Sequence, residues 1–380
     1  MAASNRQASI RYGVLLAATL LSSVTLAAPY TPATDTQMLQ LLPPRIETAR
    51  QVLDPVAAAA TVQTLIEAAR READPRYLGQ AQAILSHWND SATTPTRLLV
   101  LRATVQQSLH RFNEALDTLA GALRREPANV QALLTRATIQ QLRGDYRSAA
   151  QSCQQLSASG ASVPAELCLA GIASMTGRAA AAEMLVLRLL DGVPAGDRAT
   201  RVWGYTLLAE GAERQGDVRS AERYFLLGLA EDAGDRYLTA AYCDWLLDQH
   251  RPQEVLRLTA AAGLDDNLLL RRALAFSQLR DAQALSLTAQ LRERHNLAAR
   301  RGERTHLREE ARLSLWLEHD PAHALALAQQ NWQQQKESAD LRILLEAAAA
   351  ARSTPVRQAA WRWLQANGIK DARIEKWGAA

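Results

Sequence analysis

Two histidines four residues apart are the first residues of this chain whose types and spacing could do chemistry. His319 and His323 have the spacing at which two imidazoles on one helix face can bind a metal ion. Pro321 lies between them, and because proline favours the first turn of a new helix, the two side chains are not expected to share one continuous turn. We therefore expect an exposed polar turn at this point and predict neither a metal ion nor a cofactor.

Acidic pairs are the second group that could do chemistry. Asp265–Asp266 and Glu309–Glu310 are each adjacent in sequence, and adjacent residues on a helix point apart, so they are poorly placed for joint acid–base work. The chain contains no G-x-x-x-x-G-K or G-x-G-x-x-G phosphate loop and no G-x-S-x-G nucleophile turn. We predict that the protein is not an enzyme and assign no catalytic residue.

A regular spacing of small residues predicts the elements that position everything else. Alanines recur in pairs twelve residues apart, and a sixth pair is formed by Cys243 and Val255. Successive pairs begin 34, 34, 33, 39 and 34 residues apart, a period that indicates a helical hairpin copied in tandem. We expect each pair to lie where two helices cross most closely, and the residues are Ala69, Ala81, Ala103, Ala115, Ala137, Ala149, Ala170, Ala182, Ala209 and Ala221.

The unit that begins at Val130 shows the repeat most clearly. Leu133 and Ala137 fall on its first helix, Gly144-Asp145 makes the turn, and Ala149 falls on its second. These residues resemble the tetratricopeptide repeat (TPR) family, closely over residues 62–262 and more weakly over 266–367. The resemblance implies an all-α fold in which about nine helix-turn-helix hairpins stack as a right-handed α-solenoid.

The organisation that follows has five parts. We predict a signal peptide at 1–27, an extended arm at 28–45, a regular solenoid at 46–262, more divergent hairpins at 263–367 and a C-terminal tail at 368–380. In the divergent part, Arg312 stands where the repeat register expects an alanine.

The first residues read as a leader for export. Arg6 and Arg11 precede an apolar stretch that is too short to span a membrane comfortably, and Thr25 and Ala27 are small residues at the positions a signal peptidase reads. The alternative is an uncleaved N-terminal anchor. We expect cleavage after Ala27, no lipid anchor because no cysteine is near, no later membrane span, and a periplasmic location.

Charge argues against a nucleic-acid partner. Removing Arg6 and Arg11 from the 43 basic residues leaves 41 against 39 acidic ones. Nucleic-acid binders concentrate Lys and Arg on one face, and no such block appears in this sequence.

An exported protein can form a disulfide, and two of the three cysteines are suitably placed. Cys153 and Cys168 are 15 residues apart, on the second helix of one unit and the first helix of the next. They form either a bridge that staples two repeats or two buried small side chains, whereas Cys243 stands at an alanine position and is expected to be an unpaired core thiol.

The TPR resemblance also implies a concave groove that binds a partner. The family's inward-facing positions fall here on amides, hydroxyls, charges and two aromatics, which suit an extended peptide: Arg97, Thr104, Gln107, Gln131, Thr138, Gln141, Trp203, Glu210, Glu213, Arg214, Tyr237 and Asp244.

We therefore expect a non-catalytic scaffold of the bacterial cell envelope that binds a partner protein or peptide. The tryptophan-rich C-terminal end, around Trp363, is a second candidate contact surface. The alternative function is an all-helical enzyme that acts on glycans, or a helical accessory of a peptidoglycan-processing complex. Only 5% of the residues are aromatic, which argues against a glycan-stacking cleft.

Overall fold

The described part of the chain is made of helices joined by short turns. The structure, a computed structural model, describes residues 54–88, 93–260, 265–302, 306–375 and 377. The predicted leader (1–27) and arm (28–45) lie outside these residues. The described helices are α1 Pro55–Glu72, α2 Arg76–Leu85, α3 Thr96–Ser108, α4 Phe112–Arg125, α5 Val130–Leu142, α6 Tyr146–Ala158, α7 Ser162–Met175, α8 Ala179–Gly192, α9 Arg198–Gln215, α10 Val218–Glu231, α11 Arg236–Asp248, α12 Pro252–Leu258, α13 Asp266–Gln278, α14 Gln283–Arg300, α15 Leu307–Trp316, α16 Pro321–Gln334, α17 Ser338–Ala350, α18 Thr354–Ala366 and α19 Ala372–Glu375.

The helices pair into hairpins that stack as a solenoid. Within the described ranges, α1 to α18 form nine consecutive hairpins, and no strand accompanies them. Odd-numbered helices contact the next odd-numbered helix along most of the chain, so the first helices of the hairpins form one continuous layer. The predicted all-α, TPR-like repeat architecture is confirmed. Nowhere in those ranges does a helix combine the length and apolar character needed to cross a bilayer.

Gly-Asp dipeptides form the turns of the third and fifth hairpins. Gly144 and Gly216 adopt φ values of 74° and 75°, a left-handed conformation that ends a helix and that glycine takes without steric cost. The aspartate that follows each glycine then caps the next helix: the Asp145 carboxylate accepts the backbone N–H of Ser148 at 3.1 Å, and Asp217 does the same for Ser220. Each dipeptide thus ends one helix and begins the other.

Small residues occupy the helix crossings. Nine of the ten repeat alanines are buried, with exposed fractions between 0% and 5%, and Cys243 and Val255 are also fully buried. Ala69 differs from the prediction because it is only partly buried. It lies on α1, the first helix of the described stack, where no preceding described hairpin packs against it.

The C-terminal hairpins fold back onto earlier repeats. Leu307 and Leu341, from α15 and α17, share an apolar cluster with Ala137, Tyr146 and Ile172 from the third and fourth hairpins. The backbone N–H of Lys336 also donates to the carbonyl of Leu142 at 2.7 Å, although 194 residues separate them in sequence. The solenoid therefore curves until its last third covers part of its own inner layer.

The repeat register of α15 is shifted by one residue, which explains why Arg312 stands where the sequence pattern requires an alanine. Ala311 is a fully buried small residue of α15, and Arg312 next to it turns towards the inner layer and binds Asp244 of α11. Farther along, the segment predicted as a C-terminal tail contains the short helix α19, and Ile369, Asp371 and Ile374 are buried.

The two cysteines of neighbouring repeats are joined. Cys153 on α6 and Cys168 on α7 form a disulfide, with Cα atoms 5.8 Å apart. Cys243 is a buried free thiol whose pKa is raised by burial to about 12, so it is unreactive at neutral pH.

We predict that enlarging a crossing alanine destabilises the solenoid. Ala137→Leu and Ala209→Leu each insert a branched side chain where the native residue is fully buried, and overpacking of this kind costs about 1–3 kcal/mol. Chemical unfolding followed by circular dichroism measures the loss. Ala230→Leu, at an exposed position of α10, is the control and should be nearly neutral. Equal stability of all three variants would contradict the register.

We also predict a stabilising role for the disulfide. Closing a loop of this length is worth about 3 kcal/mol in the chain-entropy account. Replacing both Cys153 and Cys168 by Ser should lower the free energy of unfolding by roughly that amount, and reduction of the native protein should have a similar effect. Cys243→Ala should leave the sensitivity to reductant unchanged. An unchanged melting temperature of the native protein after addition of reductant would contradict the presence of the disulfide.

Candidate functional site

The inner layer of helices lines a large cavity that is partly open to solvent. Its volume is about 1220 Å³. Its wall is formed by the first helices of the third to seventh hairpins, by the end of α1, and by the N-terminal ends of α15 and α17. Arg236 of α11 donates to the backbone carbonyl of Arg71 at the end of α1 (3.3 Å), so the first and sixth hairpins meet beside this cavity.

Most of the predicted groove residues lie on this wall. Eight of the twelve line the cavity: Thr138, Gln141, Trp203, Glu210, Glu213, Arg214, Tyr237 and Asp244. The other four belong to α3 and to the start of α5 and do not line it. Arg97 and Gln131 are exposed, Gln107 is half-buried, and the Thr104 hydroxyl is buried and donates to the carbonyl of Val100.

One side of the cavity is apolar. Half-buried apolar side chains from α5, α7 and α9 face it, among them Leu134, Leu142, Met175, Trp203 and Leu207. Trp203 packs against both of the largest apolar clusters, so it is held firmly while part of its ring stays accessible. A rigid aromatic of this kind is the usual anchor for a partner's side chain.

The opposite side is charged, and its centre is Asp244. Arg271 of α13 binds this carboxylate with two hydrogen bonds of 3.0 and 2.6 Å, and Arg312 of α15 binds it with two more of 3.0 and 2.5 Å. Burial alone would raise the pKa of Asp244, but the two guanidinium groups hold it below its ordinary value. Asp244 is therefore a fixed anion that ties three successive hairpins together.

A second ionic group lies where α15 and α17 begin. The Arg308 guanidinium bonds to Glu337 at 2.7 Å and to Glu309 at 3.1 Å, and it approaches the buried Asp340 at 3.3 Å. Burial opposes ionisation of Glu309, yet the neighbouring arginines lower its pKa to about 2. This carboxylate is thus ionised and paired rather than available for proton transfer.

Glu213 joins the inner layer to the C-terminal segment. Its carboxylate lies 2.8 Å from the guanidinium of Arg373, which also binds Asp371 at 2.6 Å. The Asp371 carboxylate in turn accepts a hydrogen bond from the hydroxyl of Ser338 at the start of α17. Burial raises the pKa of Glu213 to about 7, against the opposing effect of Arg373.

Tyr237 is the most accessible aromatic of the charged side. Its side chain projects into the cavity with 56% of the residue's surface exposed, and its hydroxyl donates to Glu210 at 2.6 Å. The adjacent carboxylate raises the pKa of Tyr237 well above its ordinary value, so the phenol stays neutral. Nearby, the buried Arg214 donates to the hydroxyl of Ser174 at 2.7 Å.

Taken together, the charges on the wall balance. Nine basic and nine acidic side chains line the cavity, and the strongest are paired with each other. Such a wall offers hydrogen-bond donors and acceptors without a net field that would favour a polyanion or a polycation.

His319 and His323 lie on either side of a helix start and do not share one helical turn. His319 adopts a left-handed conformation (φ 56°) just before Asp320, which caps α16 through the backbone N–H of His323. Nor does any group of three His, Cys, Asp or Glu side chains come together as a metal site within the part of the chain that the structure describes.

Several wall residues were not predicted from the sequence. They come from α13, from the C-terminal third and from the end of α1, and include Arg70, Arg271, Arg308, Glu309, Arg312, Lys336 and Arg373. The sequence did mark Arg312 as unusual, because a charged residue replaces the small one that the repeat requires. Nothing in the sequence marks the other residues as cavity residues, since their place on the wall depends on how far the solenoid curves.

Comparison with known proteins agrees with a repeat fold and goes no further. No protein-family model matches this sequence, and no curated protein matches it. Among solved structures, the chain is similar to a tetratricopeptide repeat protein from Parabacteroides merdae (13% identity, TM-score 0.31, 76% of this chain and 99% of that one). It is also similar to the TPR domain of P58(IPK) (13%, 0.26, 74% and 96%) and to yeast Tom70 (10%, 0.29, 85% and 86%). With all three TM-scores below 0.5, the assignment of a TPR-like solenoid to this chain rests on its own hairpins and buried repeat positions.

The Glu213 carboxyl predicts a pH dependence of stability. Because its pKa is raised from 4.5 to about 7, the folded protein holds a proton there that the unfolded chain has already lost. Its contribution to stability is therefore present below about pH 4.5 and is lost as the pH rises to about 7. Glu213→Gln should remove this loss, so the free energy of unfolding of the variant should fall less steeply with pH than that of the wild type. The two slopes should differ by at most about 1.4 kcal/mol per pH unit.

Denaturant unfolding of both proteins at several pH values measures this difference. Glu114→Gln, at an exposed position of α4 away from Glu213, is the control for the substitution itself. Parallel curves for wild type and Glu213→Gln would contradict the assignment.

Proposed function

We propose that this protein is a non-catalytic scaffold that binds a segment of a partner protein in its central cavity. The observation that carries the proposal is the cavity itself, with eight of the twelve predicted groove residues on its wall. A volume of about 1220 Å³ exceeds the range of about 300–1000 Å³ that is usual for small-molecule sites. An extended stretch of polypeptide suits a space of this size.

The two sides of the wall support a peptide as the ligand. The apolar side, around Trp203 and Met175, can take side chains, and the polar side, around Tyr237 and Glu210, can bond to a peptide backbone. Because the wall is built from packed helices, it is formed before binding, and little order has to be gained on association.

The state of the carboxylates supports a role without chemistry. Asp244 and Glu309 are each held ionised by one or more arginines. An acid–base pair needs carboxyl groups that can exchange protons with a substrate. Groups fixed in ion pairs are better suited to holding helices in place.

We further propose that the protein works in the bacterial cell envelope after export. The leader-like sequence of residues 1–27 and the disulfide between Cys153 and Cys168 support this compartment. Mass spectrometry of the protein recovered from the periplasm tests it directly. A mature chain that begins at Ala28 is expected, and a full-length chain in the cytosol would contradict the proposal.

Site-specific photo-crosslinking tests the binding function. A photoreactive residue placed at Gln141 or Trp203 should capture a discrete partner from the envelope fraction, because both positions line the cavity. Arg97 is the matched control, since it is exposed on an inner helix but away from the cavity, and should capture little. Trp363 gives a second comparison, because its ring packs against the turn at Gly144 instead of facing the cavity.

Capture at Gln141 or Trp203 but not at Arg97 supports the cavity as the binding site. Capture at Trp363 alone would move the site to the C-terminal end. No capture at any of the four positions would contradict the scaffold function.

A further inference from the structure

Tyr237 is the aromatic side chain of the cavity wall that the protein leaves most open. It has 56% of its surface exposed, and its hydroxyl is fixed by donating to Glu210 at 2.6 Å. Arginine or lysine groups lie 4.8–5.9 Å from the centroids of six other rings, those of Tyr205, Tyr224, Trp245, Phe276, Trp316 and Trp332. Among the described residues no such group lies over Tyr237, so its ring can receive a cation from a ligand.

Two carboxylates act on the hydroxyl of Tyr237. Glu210 foremost, and Glu337 as well, raise the pKa of the phenol, which shows that both lie close enough to make this position negative. Glu210 binds Tyr237 through one oxygen, whereas its other oxygen is 3.8 Å from the guanidinium of Arg214. That distance is too long for a hydrogen bond. One oxygen of Glu210 is therefore available to a donor in the cavity.

The arginines beyond Tyr237 do not neutralise this side of the wall. Arg308 bonds to Glu337, Glu309 and Asp340, so it shares one positive charge among three negative ones. With the adjoining group at Asp244, three arginines face four carboxylates: Arg271, Arg308 and Arg312 against Asp244, Glu309, Glu337 and Asp340. The charges of the whole wall balance, but this part of the protein keeps a negative excess that favours a single cationic side chain.

Helix α9 sets the distance from this position to the apolar side. Trp203, Leu207 and Glu210 follow one another at spacings of four and three residues, so they share one face of α9, and all three line the cavity. At a rise of about 1.5 Å per residue, Trp203 and Glu210 are about 10 Å apart along the helix. An extended segment covers that distance in about three residues.

We propose that the partner segment carries a lysine or arginine about two to four residues from a bulky apolar residue, with the basic group over Tyr237 and beside Glu210 and the apolar one against Trp203. This inference rests on the proposed binding function and adds the chemistry of the ligand. The basic group gains a cation–π contact with Tyr237 and a charge-assisted hydrogen bond to Glu210. An acidic residue in its place would be repelled by the carboxylates of Glu210 and Glu337.

Selection from a peptide library tests this chemistry before the partner is known. The probe is a phage library of random nonapeptides, selected on the immobilised protein and sequenced. We expect enrichment of sequences with lysine or arginine about two to four residues from tryptophan, phenylalanine, leucine or methionine. Selection on Glu210→Gln should lose the preference for the basic residue and keep the apolar one, and Trp203→Ala should do the reverse. Glu114→Gln, at an exposed position of α4, should give the wild-type result.

An enriched peptide then allows the contact with Glu210 to be measured directly. Fluorescence anisotropy gives its affinity and that of the same peptide with glutamine in place of the basic residue. Removing the charge should weaken binding to the wild type by about tenfold, and binding to Glu210→Gln much less, because the opposing carboxylate is then absent. Tyr237→Phe keeps the ring and should keep the preference for the charged peptide, whereas Tyr237→Leu should reduce it. Circular dichroism checks that each variant is folded, and the Tyr237 pair gives an independent result if Glu210→Gln is not.

The outcomes separate this inference from the proposed function. Enriched peptides that are apolar without a basic residue, or that carry acidic residues, would overturn the inference and keep peptide binding. An equal effect of the peptide's charge on wild type and Glu210→Gln would also overturn it, because the cation would then bind elsewhere. The absence of any enriched sequence on the wild type would overturn peptide binding itself, and this inference with it.

Discussion

The close approach of paired helices at small residues is the constraint on which this structure depends. Two helices can cross closely only where their side chains are small, and this chain places Ala, or once Cys with Val, at each crossing from the second to the sixth hairpin. When every hairpin has the same helix crossing, each hairpin is rotated by the same small angle relative to the one before it. These rotations add up and curve the stack. That curvature brings the C-terminal hairpins onto the third and fourth ones and forms the cavity.

Closure then depends on long-range polar contacts. Arg312 binds Asp244 across 68 residues of sequence, and Arg342 of α17 binds Asp248 of α11 across 94. Both are two-pronged guanidinium–carboxylate contacts, which fix direction as well as distance. They hold the last hairpins against the sixth one, where apolar packing alone would allow the layers to slide. Arg312 and Asp244 also line the cavity wall, so the architecture and the proposed site share residues.

The sequence predicts the local part of this structure and misses the part that is long-range. Alanine spacing, Gly-Asp turns and apolar periodicity are properties of single hairpins, so the repeat architecture and about nine hairpins could be read from them. The eight cavity residues followed from the resemblance to the TPR family. Whether a solenoid stays open or meets itself depends on a small rotation summed over many units. Arg271, Arg308 and Arg373 therefore looked like ordinary surface charges. Arg97, Thr104, Gln107 and Gln131 were expected in the groove because the repeat pattern treats every unit alike, whereas neither α3 nor the first turn of α5 lines the cavity.

The most direct test of the account is hydrogen exchange at the backbone amide of Lys336. This residue lies in the connection between α16 and α17, and its N–H donates to the carbonyl of Leu142 on α5. In a closed solenoid the amide is protected by that bond, and its exchange should be slowed by orders of magnitude relative to an unstructured chain. Fast exchange of Lys336 in a protein whose helix α5 remains protected would show that the C-terminal hairpins do not close against the earlier repeats.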